Sequence, residues 1–265
     1  VANLRFARSS QNLAVLGTVQ NGVGTNAPAL QEDSQYPMSN AAQADRYTPW
    51  KTPGTPPSSP LNIDIDLGAA FSIYAIGVHR YNLLGGSAGT LTMQTQTGSY
   101  NGTGTWTSFG TISSALLTSS KDRCVIDTNT VASVRSIRWS FAHTSGIWSV
   151  GKLFAIITPT VDLGNSYAAG SVLTPVRYQT VQVDANGIPD IDDHAEDGFL
   201  WSLDLGYTTS AIRTSVWTLV NSGAPVSMID ENDKLEEVRV VGGQIATEHT
   251  FLSVYHPRLE LARLP

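Results

Sequence analysis

The sequence predicts an all-β protein: a β-sandwich, then a second β-rich domain carrying one short helix. Three observations predict this. Apolar and polar residues alternate at period two along most of the chain, as half-buried strands do. Turn formers, including 23 Gly, separate these runs. Only one segment has apolar residues at helical spacing. At roughly 100–200 residues per domain, 265 residues suit two domains. They are placed at 1–158 and 159–265.

The first stretch of the chain is rich in turn residues and ends in Pro53-Gly54-Thr55-Pro56-Pro57-Ser58-Ser59-Pro60. Proline fixes φ and removes ladder donors, so this is a stiff extended connector. Leu61, Ile63, Ile65 and Leu67 then alternate with Asn62, Asp64 and Asp66, giving a strand with one buried face. Phe71 to Asn82 is a second strand, Leu91 to Gln96 a third, and Trp106 to Ile112 a fourth. Val125-Ile126, Val134 to Phe141 and Trp148 to Ile157 complete a set suited to an antiparallel sandwich. Cys124 falls within this set as a small buried hydrophobe.

The segment Thr158 to Gly164 contains Pro and Gly and reads as a boundary. Strands recur at Val172–Val183, Phe199–Leu205, Val226–Ile229, Glu237–Thr247 and Phe251–Leu261. Ala211, Ile212, Val216, Leu219 and Val220 cover one helix face, with Ser210 as cap and Gly223 as terminator.

Composition narrows the function. Charged residues are 14% of the chain, against ~25% in an average soluble domain. Net charge is −6, which argues against a nucleic-acid binder, since such proteins need a basic footprint to displace counterions. A lone cysteine excludes intrachain disulfides and CxxC metal sites. No apolar run approaches the ~18–20 residues of a membrane-spanning helix. Val1 fits equally a removed initiator or a removed signal peptide, so this end does not fix a compartment.

Four features are candidates for chemistry. Gly85-Gly86-Ser87-Ala88-Gly89 matches G-x-S-x-G, whose serine acts only at a strand-to-helix turn. Thr90 to Thr97 alternates like a strand, so this is a glycine-rich hairpin loop. Asp190, Asp192 and Asp193 lie in an acidic run around Gly187 and Pro189. Such oxygens suit Ca²⁺, but the EF-hand register fails at Pro189 and Ala195, and a solvated acidic loop is the reading. The five histidines form no H-x-x-x-H or H-x-H pair, so no cofactor is expected beyond that weak Ca²⁺ option. Aromatic rings can stack on the C–H faces of sugars. Trp50, Tyr81, Tyr100 and Trp106 are the residues that would converge at one end of the sandwich to hold a glycan, or serve as core or interface anchors.

A resemblance adds to this reading. Tyr36-Pro37-Met38-Ser39-Asn40-Ala41, Asp45 to Trp50, Ile63 to Gly68, Tyr74 to Asn82, Arg135 to Phe141 and Ile147 to Phe154 resemble the successive motifs of discoidin-type domains. That resemblance implies a galactose-binding-like jelly-roll sandwich. The second half, with its helix, Gly223-Ala224-Pro225-Val226-Ser227-Met228 and the final strands, resembles virion proteins of tailed bacteriophages. It implies a non-enzymatic tail, tail-tip or fibre-adaptor component, a homo-oligomer assembled with other tail proteins in the bacterial cytoplasm. Host-surface glycan recognition is the alternative. The chain lacks the disulfide of secreted discoidin domains, and the family's sugar-binding residues are not identifiable in it.

Overall fold

Successive side chains of a strand point to opposite faces, and the alternation along the chain becomes a two-layer core on this rule. A computed structural model describes residues 4–8, 12, 14, 17–19, 33–43, 48–52, 60–84, 90–98, 100, 105–113, 124–142, 147–157, 161–162, 171–176, 179–183, 189–193, 198–205, 209–229, 234–246 and 256–263. In chain order the strands are β1 (Arg5–Arg8), β2 (Thr18–Val19), β3 (Trp50–Lys51), β4 (Leu61–Leu84), β5 (Thr90–Gln96), β6 (Thr107–Ile112), β7 (Cys124–Ala142) and β8 (Ile147–Ile157). Then come β9 (Val161–Asp162), β10 (Val172–Val176), β11 (Gln179–Val183), β12 (Pro189–Asp193), β13 (Gly198–Asp204), helix α1 (Ser210–Ser222), β14 (Val226–Ile229), β15 (Lys234–Ala246) and β16 (His256–Arg263). The chain divides into two compact units. The sandwich unit is Ser10–Pro159 with Asp233–Leu235, and the second unit is Val1–Ser9, Thr160–Asn232 and Glu236–Pro265.

In the sandwich unit β4 and β7 pair with each other from Leu61 opposite Phe141 to Val78 opposite Val125 and serve both layers. Leu61–Asp66 of β4 pairs with Ser136–Phe141 of β7, whose other side takes β5 and then β6. This is the first layer. Beyond Asp66 the register shifts, and Phe71–Val78 pairs with Val125–Val134. There the free side of β4 takes β8 and then β3, which makes the second layer. Register shifts let a strand turn a corner between sheets. Gly68 at the corner has φ 75°, a left-handed conformation that glycine adopts without steric cost, and Asp66 Oδ1 accepts its N–H at 2.9 Å. What reads in sequence as two strands, Leu61–Leu67 and Phe71–Asn82, is thus one bent strand.

The layers face each other across Ile63, Ile65, Met93, Ile137 and Trp139 on one side and Ile76, Val78, Val150 and Leu153 on the other, all fully buried. Trp139 of the first layer donates its indole N–H to the Gly77 carbonyl of the second at 3.1 Å. Trp50 on β3 packs its ring 5.4 Å from that of Phe141 on β7. Along β8, β3 covers only Ser149 and Val150. Further on, the buried side chain of Asn12 takes the place of a strand. It donates to the Leu153 carbonyl (3.1 Å) and accepts from the Ala155 N–H (2.9 Å) and Ala14 N–H (3.2 Å). Buried backbone groups need such partners.

In the second unit β10, β13, β16 and β15 form an antiparallel sheet in that order. β1 pairs with both β14 and β9, so the hydrogen bonds of this N-terminal strand lie within the second unit. Phe6, Leu203, Val216, Met228, Val238 and Leu261 belong to its core. The expected strand Val172–Val183 is two strands, β10 and β11, and β11 forms a hairpin with β12. Helix α1 matches the expected segment, but its N-cap is Thr209, whose hydroxyl accepts from the Ile212 N–H at 3.4 Å, and not Ser210. Gly223 ends it in the left-handed conformation at φ 59°, as expected. Val216 and Leu219 are its buried face, while Ala211 and Trp217 are exposed.

Asn12→Ala removes both partners of the β8 edge at once. Leaving buried polar groups unmet costs on the order of 1–3 kcal/mol each. Urea denaturation is expected to show a loss of roughly 2–3 kcal/mol with an unchanged m-value.

Candidate functional site

The outward face of the first layer carries only polar side chains at its centre. Alternation and register together place Thr92, Gln94 and Gln96 of β5 beside Ser140, Arg138 and Ser136 of β7, and these beside Asn62, Asp64 and Asp66 of β4. The rows across the strands are Thr92–Ser140–Asn62, Gln94–Arg138–Asp64 and Gln96–Ser136–Asp66. β6 extends the middle row with Ser108, opposite Gln94.

An ion pair holds the middle row. Arg138 donates from Nε to Asp64 Oδ1 and from Nη2 to Asp64 Oδ2, both at 2.7 Å. This bidentate match of planar guanidinium and carboxylate is the strongest form of such a pair. The two side chains keep 13% and 4% of their surface exposed, so little water competes. Tyr100 donates its hydroxyl to Asp64 Oδ2 at 3.0 Å. Burial, and then the Asp64 carboxylate beside it, push the Tyr100 phenol well above its ordinary range. The Arg138 guanidinium lies 4.2 Å from the centroid of the Trp106 indole, a cation–π contact. In the next row Arg135 Nε meets Asp66 Oδ1 at 3.4 Å. Two arginines thus face two aspartates, and the site is electrically balanced.

Of the four aromatic residues expected to converge, the structure brings two together. Tyr100 and Trp106 meet over the Arg138–Asp64 pair. Trp50 is corrected to a core residue: it is 0% exposed and packed on Phe141, because β3 turns its ring inward against β8. The backbone of Tyr81 lies opposite Val150 in β4, and its side chain lies outside the described residues. Asp190, Asp192 and Asp193 sit in β12, paired with Gln182, Thr180 and Gln179, so the expected acidic loop is a hairpin strand; their side chains are outside the described residues. Ser87 also lies outside them, and the element that follows it, Thr90–Gln96, is a strand and not the helix that a nucleophile elbow needs. The sequence reading missed Arg138, Asp64, Gln96 and Ser136, which occupy the polar half of the alternation.

Scans against protein-family models and curated proteins find no match. Among solved structures the chain is similar to chitosan-binding module 1 derived from a chitosanase/glucanase from Paenibacillus sp. IK-5 (18% identity, 54% of this chain and 97% of that chain, TM-score 0.42). It is also similar to CBM32-3 from a family 31 glycoside hydrolase from Clostridium perfringens (17% identity, 57% and 97%, TM-score 0.41). A third similar structure is a Ruminococcus gnavus GH29 fucosidase (15% identity, 57% and 27%, TM-score 0.40). The strand pairing described above makes the first unit an antiparallel β-sandwich and the second a β-rich unit.

Two predictions follow from the ion pair. Arg138→Met leaves the buried Asp64 carboxylate without its counter-charge and is expected to cost about 3–5 kcal/mol in urea denaturation, whereas Arg138→Met with Asp64→Leu recovers most of that loss. The raised Tyr100 phenol stabilises the fold fully below its unfolded-state value of about 10, and that contribution is lost as pH rises above it. Unfolding free energy is therefore expected to fall from about pH 10 upward in the wild type, and less steeply in Tyr100→Phe.

Proposed function

We propose that the sandwich unit is a non-catalytic recognition module that binds neutral carbohydrate on the outward face of its first layer. The observation that carries this reading is the nine-position polar face, balanced in charge and bordered by Trp106 and Tyr100. Sugars present dense hydroxyls and apolar C–H patches. A surface of alternating donors and acceptors with aromatic rings at its margin complements both. Protein interface cores, in contrast, are apolar and lean on buried aromatic anchors. Phosphate-bearing ligands need uncompensated cations, and both arginines here face aspartates. None of the nine positions is a histidine or a cysteine; Asp64 is engaged by Arg138 and Tyr100, and Asp66 by Arg135 and the Gly68 N–H, so neither carboxylate is poised as a general base. A place in a phage tail would use the same surface to read host glycans. That assignment rests on the sequence resemblance, and none of the contacts at this face bears on tail assembly.

The test is a glycan array followed by calorimetry on the full chain. Binding is expected to a neutral glycan. Trp106→Ala should weaken it tenfold or more, and Trp217→Ala, on the exposed face of α1, should leave it unchanged. Absence of binding to every neutral glycan, by a folded protein, would sink the proposal.

A further inference from the structure

Three polar atoms in one row of this face are buried and without a hydrogen-bond partner: Trp106 Nε1, Gln96 Oε1 and Ser136 Oγ. Gln96 is 8% exposed and Ser136 is 0% exposed. The register makes them neighbours. Gln96 lies directly opposite Ser136, and Trp106 immediately precedes Thr107, which lies opposite Thr95. Buried polar groups in folded proteins are almost always paired, so three orphans side by side mark a place where a partner is expected.

We infer that this row is the subsite that takes two adjacent hydroxyl groups of a neutral sugar. The inference deepens the reading proposed above and rests on it. The donor and acceptor inventory selects the chemistry. The indole N–H can only donate, the Gln96 carbonyl oxygen can only accept, and the Ser136 hydroxyl can do either. A carboxylate or sulfate only accepts, so it satisfies the indole and leaves Gln96 unmet. An ammonium only donates, so it satisfies Gln96 and leaves the indole unmet. A hydroxyl does both, and two neighbouring hydroxyls span the row, since residues directly opposite across strands have Cβ atoms only ~5 Å apart. Charge points the same way. The flanking carboxylates Asp64 and Asp66 are balanced by Arg138 and Arg135, so a charged ligand finds no net counter-charge. The subsite therefore discriminates between a neutral hexose and its uronic acid.

Isosteric replacement separates this role from a structural one. Trp106→Phe, Gln96→Met and Ser136→Ala each remove one orphan and keep the volume close. Because no hydrogen bond is lost in the free protein, thermal stability is expected to stay level or rise in Gln96→Met and Ser136→Ala, while Trp106→Phe keeps a smaller ring under Arg138 and is expected to lower it slightly. The probes are galactose, glucose and mannose, with galacturonic and glucuronic acids as charged counterparts. They are titrated into ¹⁵N-labelled full chain and followed through the six tryptophan indole resonances. The signal absent from Trp106→Phe assigns that residue. A neutral hexose is expected to move this resonance, its uronic acid to bind at least tenfold more weakly, and each replacement to weaken hexose binding at least tenfold. A hexose that binds while the Trp106 signal stays still and the replacements have no effect overturns the subsite and leaves the module reading standing. Replacements that lower the melting temperature by several degrees and leave hexose binding intact also overturn it, by showing the atoms to be internally engaged. Failure of every neutral sugar and glycan to bind overturns both.

Discussion

The sandwich depends on one constraint: β4 and β7 pair with each other on both sides of a corner, from Leu61 to Val78 of β4, while belonging to both layers. Each must therefore bend at the same place. The register shifts beyond Asp66 and the left-handed turn at Gly68 provide the bend on β4. Ser133 on β7 reaches φ 60°, where a non-glycine residue costs on the order of 1–2 kcal/mol. The bend is what places Trp139 opposite Gly77 and lets one ladder close a core from two sides. A flat pair would leave the apolar halves of Leu61–Asp66 and Phe71–Val78 without a facing layer.

The same constraint shapes the candidate site. Alternation sends Ile63 and Ile65 into the core and so must send Asn62, Asp64 and Asp66 outward. Outward does not mean solvated here. Asp64 is 3% exposed, and its charge is tolerated because Arg138 meets it with two parallel hydrogen bonds and Tyr100 adds a third. Taking such a pair out of water costs about as much as the pairing returns. A pair of this kind contributes less to net stability than to geometry: it fixes where the Trp106 ring lies and in which direction the neighbouring polar atoms face.

Much of the architecture was legible in the sequence because period-two alternation is a direct record of burial. The strands around Ile63, Met93, Trp139 and Leu153 lie where the pattern places them, and Gly223 ends the helix as its residue type suggests. Two kinds of feature were not legible. Local choices between equivalent residues were missed, as with Thr209 capping in place of Ser210, since both offer a hydroxyl one position apart. Lateral relations were missed as well. Asp64 and Arg138 are 74 residues apart, and nothing in their local spacing shows that register brings them together. Asp64 and Asp66 therefore read as ordinary solvent-facing residues, and Trp50 stayed open among glycan, interface and core roles because a two-residue strand leaves no alternation to orient it.

Asn12 has a bearing on how the molecule can be handled. It occupies hydrogen-bonding groups of β8 that another chain's strand would otherwise seek. A chain lacking that side chain, as in Asn12→Ala, would keep the apolar interior and yet display a docking rail for its own copies. Such a variant would be prone to filaments.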